Sequence, residues 1–145
     1  MKTVKEILAK KGKRVITIHQ DKTALEAVVC LAEAGIGAVV VVDDNDNLAG
    51  IFTERDVVRI VAEKQAEMLP LLVKDVMTSR VTSVVPEQSV DECLALVTEK
   101  RFRHLPVVVD GSLQGLVSIG DLVKAAIADK EFLIEQLTHY IKSSG

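Results

Sequence analysis

This chain of 145 residues has few aromatic residues, few cysteines and little net charge. With no Trp, one Tyr and three Phe, the core must be aliphatic, and stacking platforms for nucleic-acid bases are scarce. The net charge of −3 argues against broad nucleic-acid binding, which needs a basic surface. The two cysteines cannot form a four-ligand zinc site, and both lie among apolar residues, which is typical of buried thiols.

Long hydrophobic runs are also lacking. No apolar run approaches the ~18 residues of a membrane span, and the N-terminal segment has no signal-peptide core. We therefore expect a cytoplasmic protein that does not enter the membrane. Apolar residues at 48% and charged residues at 27% are typical of a globular chain that buries its own core.

The chain repeats itself after 65 to 67 residues. The segment GIFTERD at 50–56 returns as GLVSIGD at 115–121, and VITI at 15–18 returns as VTSV at 81–84. Thr23 and Ser89 each begin an apolar i, i+4, i+7 pattern and have a Glu three residues on, so each predicts a helix with a capping box. A short prelude, VKEIL at 4–8, recurs as VKDVM at 73–77. Each copy therefore predicts strand, helix, strand, strand, helix, with first strands at 15–18 and 81–84.

The repeated Gly-x-x-[Thr/Ser]-x-x-Asp is the sharpest local motif. It places Thr53 and Asp56 at the start of one helix, and Ser118 and Asp121 at the start of another. Asp is shorter than Glu and should reach back less easily to the cap amide, which would leave its carboxylate free to accept ribose hydroxyls. The hydroxyl and the free N–H groups of a helix start suit a phosphate. On these residues alone, nucleotide binding and plain capping remain equally open.

Several segments together resemble a tandem pair of CBS domains, also called a Bateman module: DVMT at 75–78, RHLPVVVD at 103–110, GLVSIGD at 115–121 and the duplicated plan itself. The resemblance implies an α/β (α+β) fold of two β-α-β-β-α repeats packed as a pseudo-twofold pair. We expect CBS domains at 4–66 and 73–128 and a C-terminal helical extension at 129–145. The resemblance also implies a regulatory role without catalysis, and two clefts for AMP, ADP, ATP, S-adenosylmethionine or NAD(H).

The family pattern, carried over residue by residue, implies two sites that each combine both repeats. The first cleft would use Thr53, Asp56, Ser83, Arg103 and His104. The second cleft would use Ser118, Asp121 and Thr17, with the backbone near Ala38 and Val39 facing the adenine. The aspartates would hold ribose, and the hydroxyls of Thr53 and Ser118, with Arg103 and His104, would approach phosphate.

The copies differ at one strand edge, because Gly35 to Ala38 stand where the second copy has Arg103 and His104. The two sites should therefore be unequal, which leaves an NAD(H)- and AMP-binding redox sensor as an alternative to a sensor of adenine nucleotides. A ligand-free interaction scaffold is a further alternative. No nucleophile–base set or metal cluster is evident, so an enzyme is not expected.

The last predicted helix outruns its counterpart. Its apolar stripe comprises Ile127, Leu133 or Ile134, Leu137 and Ile141. A stripe that extends beyond the repeat must pack somewhere, and it predicts a homodimer. The sequence does not name the protein that such a module would regulate.

Overall fold

A computed structural model describes residues 2–12 and 14–144, with side chains as far as 141. The elements in chain order are α1 (Val4–Lys11), β1 (Thr17–His19), α2 (Ala24–Ala34), β2 (Ala38–Val42), β3 (Leu48–Thr53), α3 (Glu54–Lys64), a 3₁₀ turn (Gln65–Met68), α4 (Val73–Val76), α5 (Val90–Lys100), β4 (His104–Val109), β5 (Ser112–Ser118) and α6 (Ile119–Ser144). This mixed α+β order confirms the predicted fold class.

The sheets of the two repeats are unequal. In the first repeat β1 pairs parallel with β2, which pairs antiparallel with β3, whereas the second sheet contains only β4 and β5. The strand predicted at 81–84 is wrong: this segment is reduced to one parallel bridge between Val84 and Val107. The first repeat has a bond from Val40 N–H to the Ile16 carbonyl. Pro106 stands at the equivalent position and has no N–H to extend the ladder.

The prelude helices are exchanged between the repeats. α1 precedes the first repeat in sequence, yet Val4, Ile7 and Leu8 lie in the hydrophobic core of the second repeat. α4 precedes the second repeat, yet Val73 and Val76 lie in the core of the first. Both preludes are recognisable in the sequence, but their exchange between the repeats is not.

Matching backbone bonds anchor the two exchanged helices. Val4 N–H donates to the Gln88 carbonyl at 2.9 Å, and Val73 N–H donates to the Lys22 carbonyl at 2.7 Å. Both bonds join a prelude to the segment just before the first long helix of the opposite repeat. The pseudo-twofold relation therefore extends to the backbone hydrogen bonds.

α6 continues as one helix into the predicted C-terminal extension as far as Ser144. Its outer part exposes large apolar side chains, among them Phe132, Leu133, Ile134 and Leu137. None of the helices in the described ranges combines the length and the apolar character that crossing a bilayer requires.

Candidate functional site

Both aspartates of the repeated motif cap the helices that they begin. Thr53 N–H donates to Asp56 Oδ2 at 2.9 Å, and Ser118 N–H donates to Asp121 Oδ2 at 2.9 Å. The hydroxyl oxygens accept in return from the Asp56 and Asp121 amides, at 3.3 and 3.1 Å. The expectation that the shorter Asp side chain would leave its carboxylate free of the cap is wrong, because both carboxylates accept from the N–H of the cap residue. Thr53 has an extended backbone, with φ −121° and ψ 166°, which is the usual conformation of a helix N-cap.

Asp56 is buried and surrounded by donors. Besides the Thr53 amide, its carboxylate accepts from the Thr53 hydroxyl at 3.2 Å, the Thr78 hydroxyl at 3.2 Å and Arg59 Nη2 at 3.4 Å. Thr78 lies just beyond α4, so the exchanged prelude contributes directly to this group. Arg59 also donates to the Val76 carbonyl at 3.0 Å.

The first cleft is a cavity of about 330 Å³ between the repeats. Thr53 and Asp56 from the first repeat face Arg103 and His104 from the second, as the family pattern implied. The cleft is also lined by Arg55, Arg59, Arg101 and Thr78. None of these four was predicted as a site residue. Arg55 lies inside the repeated motif and Arg101 two residues before Arg103, so their positions were the available clue. Ser83 is exposed and lies outside the described lining.

The lining sets two carboxylates, the buried Asp56 and Glu54, among cations: Arg55 and Arg59 come from α3 itself, and Arg101 and Arg103 come from the second repeat. The four arginines supply fork-shaped donors that match phosphate oxygens. Vicinal hydroxyls can bond a carboxylate. The cleft can therefore hold a ligand that combines a sugar with an anionic group.

The second cleft is a cavity of about 300 Å³. Ser118 and Ala38 line it, together with the apolar side chains of Val15, Ile16 and Ile36 and the exposed cation of Arg14. Thr17, Val39 and Asp121 do not belong to its described lining. Thr17 is exposed, and Val39 is fully buried in the first core. The apolar wall of the second cleft suits a flat aromatic group such as a nucleobase.

Lys11 connects Asp121 to the second cleft. Its ammonium donates to Asp121 Oδ2 at 2.6 Å and to the Leu116 carbonyl at 2.9 Å. Lys11 lines both this cleft and an adjacent groove of about 370 Å³ between α1 and α6, where Asp121 also lies. Burial alone would raise the pKa of Asp121, but hydrogen bonds from Lys11 and from the Ser118 backbone outweigh it and lower that pKa.

His104 forms part of the wall between the clefts and lines both of them. Gly37 lines both as well, and a Cβ at Gly37 would lie 3.9 Å from His104 Cε1. Burial lowers the pKa of His104, and the positive charges of Lys11 and Arg103 lower it further, against the opposing influence of Asp121 and Glu54.

A third polar cluster lies away from both clefts. His19 Nε2 lies 2.7 Å from Asp44 Oδ1, and His19 Nδ1 accepts from the Asp21 amide at 3.1 Å. Asp21 pairs with Lys74 at 2.9 Å, and this hydrogen bond lowers the pKa of Asp21. Since the Asp21 amide fixes Nδ1 as an acceptor, Nε2 carries the proton that Asp44 accepts. The cluster therefore ties the turn after β1 to the turn between β2 and β3 and to α4.

Comparisons with known proteins agree with this architecture. The sequence model of the CBS domain matches residues 4–63 and 73–128. The CBS domain-containing protein CBSX3 of Arabidopsis thaliana, described as mitochondrial, is 33% identical in an alignment 148 positions long that covers 97% of this chain and 72% of the relative. The crystal structure of a CBS-domain protein from Agrobacterium tumefaciens has a TM-score of 0.83 and 42% identity, covering 86% of this chain and 99% of that one.

Two similar structures contain adenosine compounds. CBSX2 in complex with AMP has a TM-score of 0.77 and 27% identity, covering 90% of this chain and 99% of that one. The CBS domain pair of protein MJ0100, in complex with 5′-methylthioadenosine and S-adenosyl-L-methionine, has a TM-score of 0.78 and 25% identity, covering 89% and 98%. Two family matches in tandem, two repeats of the corresponding fold and these structural neighbours lead to one conclusion: the chain belongs to the CBS domain family, as a tandem pair.

Proposed function

We propose that this protein is a regulatory module that binds AMP, ADP or ATP, senses energy or metabolite state, and has no catalysis of its own. The observation that carries the proposal is the first cleft, where Thr53 and Asp56 face Arg103 and His104 across the repeat boundary. A ligand seated there touches both repeats, so its binding can change how they pack. The adenosine compounds in two structural neighbours support the same ligand class.

The charged residues of the first cleft determine the orientation of the ligand in it. The phosphate belongs at the arginine edge, because a guanidinium donates two parallel hydrogen bonds to phosphate oxygens. The ribose belongs near Asp56, whose bonds to Arg59 and Thr78 are at 3.4 and 3.2 Å and are long enough to be exchanged for ribose hydroxyls. The proposed binding step therefore replaces donors within the chain by donors of the ligand.

One observation favours a second candidate, the ligand-free scaffold. The four donors around Asp56 already satisfy a buried carboxylate, so the cap is stable without any ligand. In that case the clefts would be surfaces for a regulated protein. The unlike clefts support a third candidate, a redox sensor with NAD(H) in one cleft and AMP in the other.

Native mass spectrometry of protein purified without added ligand, followed by thermal melts, separates these candidates. AMP, ATP, NAD, NADH, S-adenosylmethionine and GMP would be compared at millimolar concentration. A ligand at a hundredfold excess over Kd stabilises the native state by about 2.7 kcal/mol, which corresponds to an upward Tm shift on the order of 5–10 °C. The sensor of adenine nucleotides requires AMP, ADP or ATP to be retained or to raise Tm more than GMP does.

A matched pair of variants locates the binding. Arg103→Ala should reduce the Tm shift with AMP, because Arg103 lines the first cleft. Arg80→Ala removes the same charge from an exposed position outside the described lining, and should leave the shift unchanged. If no compound raises Tm and none is retained, the scaffold is correct and the sensor is wrong. A preference for NADH over AMP in one cleft would support the redox sensor.

We also propose that the module is a cytoplasmic homodimer acting on a regulated partner protein. The exposed apolar stripe on α6 supports the dimer. Because a similar Arabidopsis protein is described as mitochondrial, the location needs its own test. Fractionation of the source cells, with antibody detection of the chain, would show whether it lies in the cytoplasm.

A further inference from the structure

Lys11 takes the structural role in the second repeat that Thr78 takes in the first. Ile51 exchanges two backbone hydrogen bonds with Thr78, each at 2.9 Å. The residue equivalent to Ile51, 65 positions later, is Leu116, whose carbonyl accepts from Lys11 Nζ at 2.9 Å. The parallel continues at the aspartates, because the Thr78 hydroxyl donates to Asp56 and the Lys11 ammonium donates to Asp121.

Lys11 and Thr78 differ in charge and in the mobility of the donating group. Thr78 is fixed by its backbone bonds to Ile51 and donates from a neutral hydroxyl. Lys11 offers a full positive charge at the end of a flexible chain, and its side chain is 42% exposed. Exposed ion pairs are weak because water screens them, so a competing anion can recruit this ammonium. Arg80 occupies the prelude position equivalent to Lys11, but no described hydrogen bond joins it to Asp56.

Asp121 also differs from Asp56 in how its two carboxylate oxygens are used. Its described hydrogen bonds all go to Oδ2, from the Ser118 amide and from Lys11. Asp56, by contrast, accepts on both oxygens. The ammonium has three protons and uses two of them, for Leu116 and Asp121. The third proton can be donated to a ligand in the second cleft, which Lys11 lines.

We propose that Lys11 is the specificity-determining residue of the second cleft, and that it selects adenine nucleotides carrying a phosphate over uncharged or cationic adenosine compounds. This inference rests on the proposed function. In the empty protein the ammonium neutralises Asp121. A bound phosphate attracts the ammonium, so Asp121 in the adjoining groove can accept from ribose hydroxyls that extend past Lys11 out of the second cleft. A nucleoside has no anion to offer Lys11 and must compete with it for Asp121.

An NMR titration that follows the Ser118 and Ala38 amides reports on this cleft separately from the first. AMP should bind the wild-type cleft about tenfold or more tightly than adenosine, as expected for a charge-assisted hydrogen bond. In Lys11→Met that ratio should fall to about 2, with adenosine binding about threefold more tightly once Asp121 is released. Lys11→Arg should keep most of the selectivity, because it keeps the charge.

Lys5→Met is the matched control, since it removes the same charge from an exposed position of the same helix, outside the described lining of both the second cleft and the adjoining groove. It should keep the wild-type ratio. The inference is overturned if Lys11→Met keeps the wild-type ratio, or if Lys5→Met lowers it equally. If neither amide of the wild-type protein responds to AMP while the first cleft binds it, only this inference fails. If no adenine nucleotide binds anywhere, the proposed function fails as well.

Discussion

Leu8 lies directly over Gly115, and the absence of a side chain at Gly115 allows that contact. A Cβ built at Gly115 would lie 2.6 Å from Leu8 Cδ2. In the other repeat a Cβ at Gly50 would lie 2.6 Å from Met77 Sδ and 2.7 Å from the Thr78 carbonyl oxygen. The glycine of each repeated motif therefore makes room for the exchanged prelude of the opposite repeat.

The two glycines should differ in their tolerance of alanine. Gly50→Ala meets a backbone oxygen that cannot move away without shifting the chain, and overpacking of this kind costs about 1–3 kcal/mol. Gly115→Ala meets the end of a flexible leucine and should cost less. Urea unfolding measures both, with Gly120→Ala as a control whose nearest described contact is 3.6 Å away. Equal losses for Gly50→Ala and Gly115→Ala would contradict the close approach of backbone at Gly50.

Leu8→Ala should loosen the second repeat although Leu8 lies at the start of the chain. Leu8 packs in the same core as Cys93, which is fully buried, whereas Cys30 packs against the core of the first repeat. Truncating a buried leucine costs about 2–5 kcal/mol. Thiol labelling of single-cysteine variants in the native state should show faster labelling of Cys93 and little change at Cys30. The reciprocal change, Val73→Ala, should accelerate Cys30 instead; the opposite pattern would refute the exchange.

The two capping aspartates should be separable in both stability and binding. Asp56→Ala leaves the buried donors around it without an acceptor, at a cost of about 1–3 kcal/mol. Asp121 is more exposed, with 25% of its side chain accessible, and Asp121→Ala should cost about 1 kcal/mol or less. Calorimetry with AMP should show each variant losing a different binding event. Identical effects of both variants on every isotherm would rule out two sites.

Stability should fall as the solution is acidified below the usual pKa of histidine, near 6.5. Burial lowers the pKa of His104 in the folded protein, so the unfolded chain binds more protons in this range. The neutral imidazole therefore contributes stability that is present above pH 6.5 and is lost as the pH falls towards the folded pKa. Urea unfolding of His104→Gln between pH 5 and 7.5 should show a shallower pH dependence than wild type; parallel curves would exclude His104 as the source.

The apolar stripe on α6 should hold two copies together. Ile134 and Leu137 are 63% and 54% exposed, and charges at both positions would oppose burial in an interface. Ile134→Glu combined with Leu137→Glu should therefore convert a dimer to a monomer in light scattering. Deleting 129–145 should do the same. A monomeric mass for the intact protein at micromolar concentration would contradict the prediction.

The structural features that were predicted correctly are those that depend on residues close together in the chain. The apolar periodicities and capping pairs at Thr23 and Ser89 identified α2 and α5, because helix periodicity and caps are local properties. The strand at 81–84 failed because its ladder depends on the N–H that Pro106 lacks, which lies in another strand. The aspartate caps were missed because side-chain length alone does not decide this bond: the helix start brings the carboxylate three residues on to the cap N–H for Asp56 and Asp121 as it does for Glu92.

The candidate site was predictable only in part for a related reason. Family resemblance supplied Thr53, Asp56, Arg103 and His104, and these converge on the first cleft. The bonds from Lys11 to Asp121 and from Thr78 to Asp56 could not be found in this way, because they form through the exchange of the preludes. Such contacts join residues 110 and 22 positions apart, and no local pattern records them.

Because the preludes are exchanged, the two repeats cannot be separated into fragments that each fold alone. A cut between α3 and α4 would separate two fragments that each carry the helix completing the other, so neither would contain all of its own core. The fragments should recombine on mixing, as two complementary halves of one folding unit. A single repeat that packed in the same way would need a second chain, because its prelude helix would lie in the core of that chain. Joining the two copies in one polypeptide replaces that encounter by a tethered one, at an effective concentration on the order of millimolar.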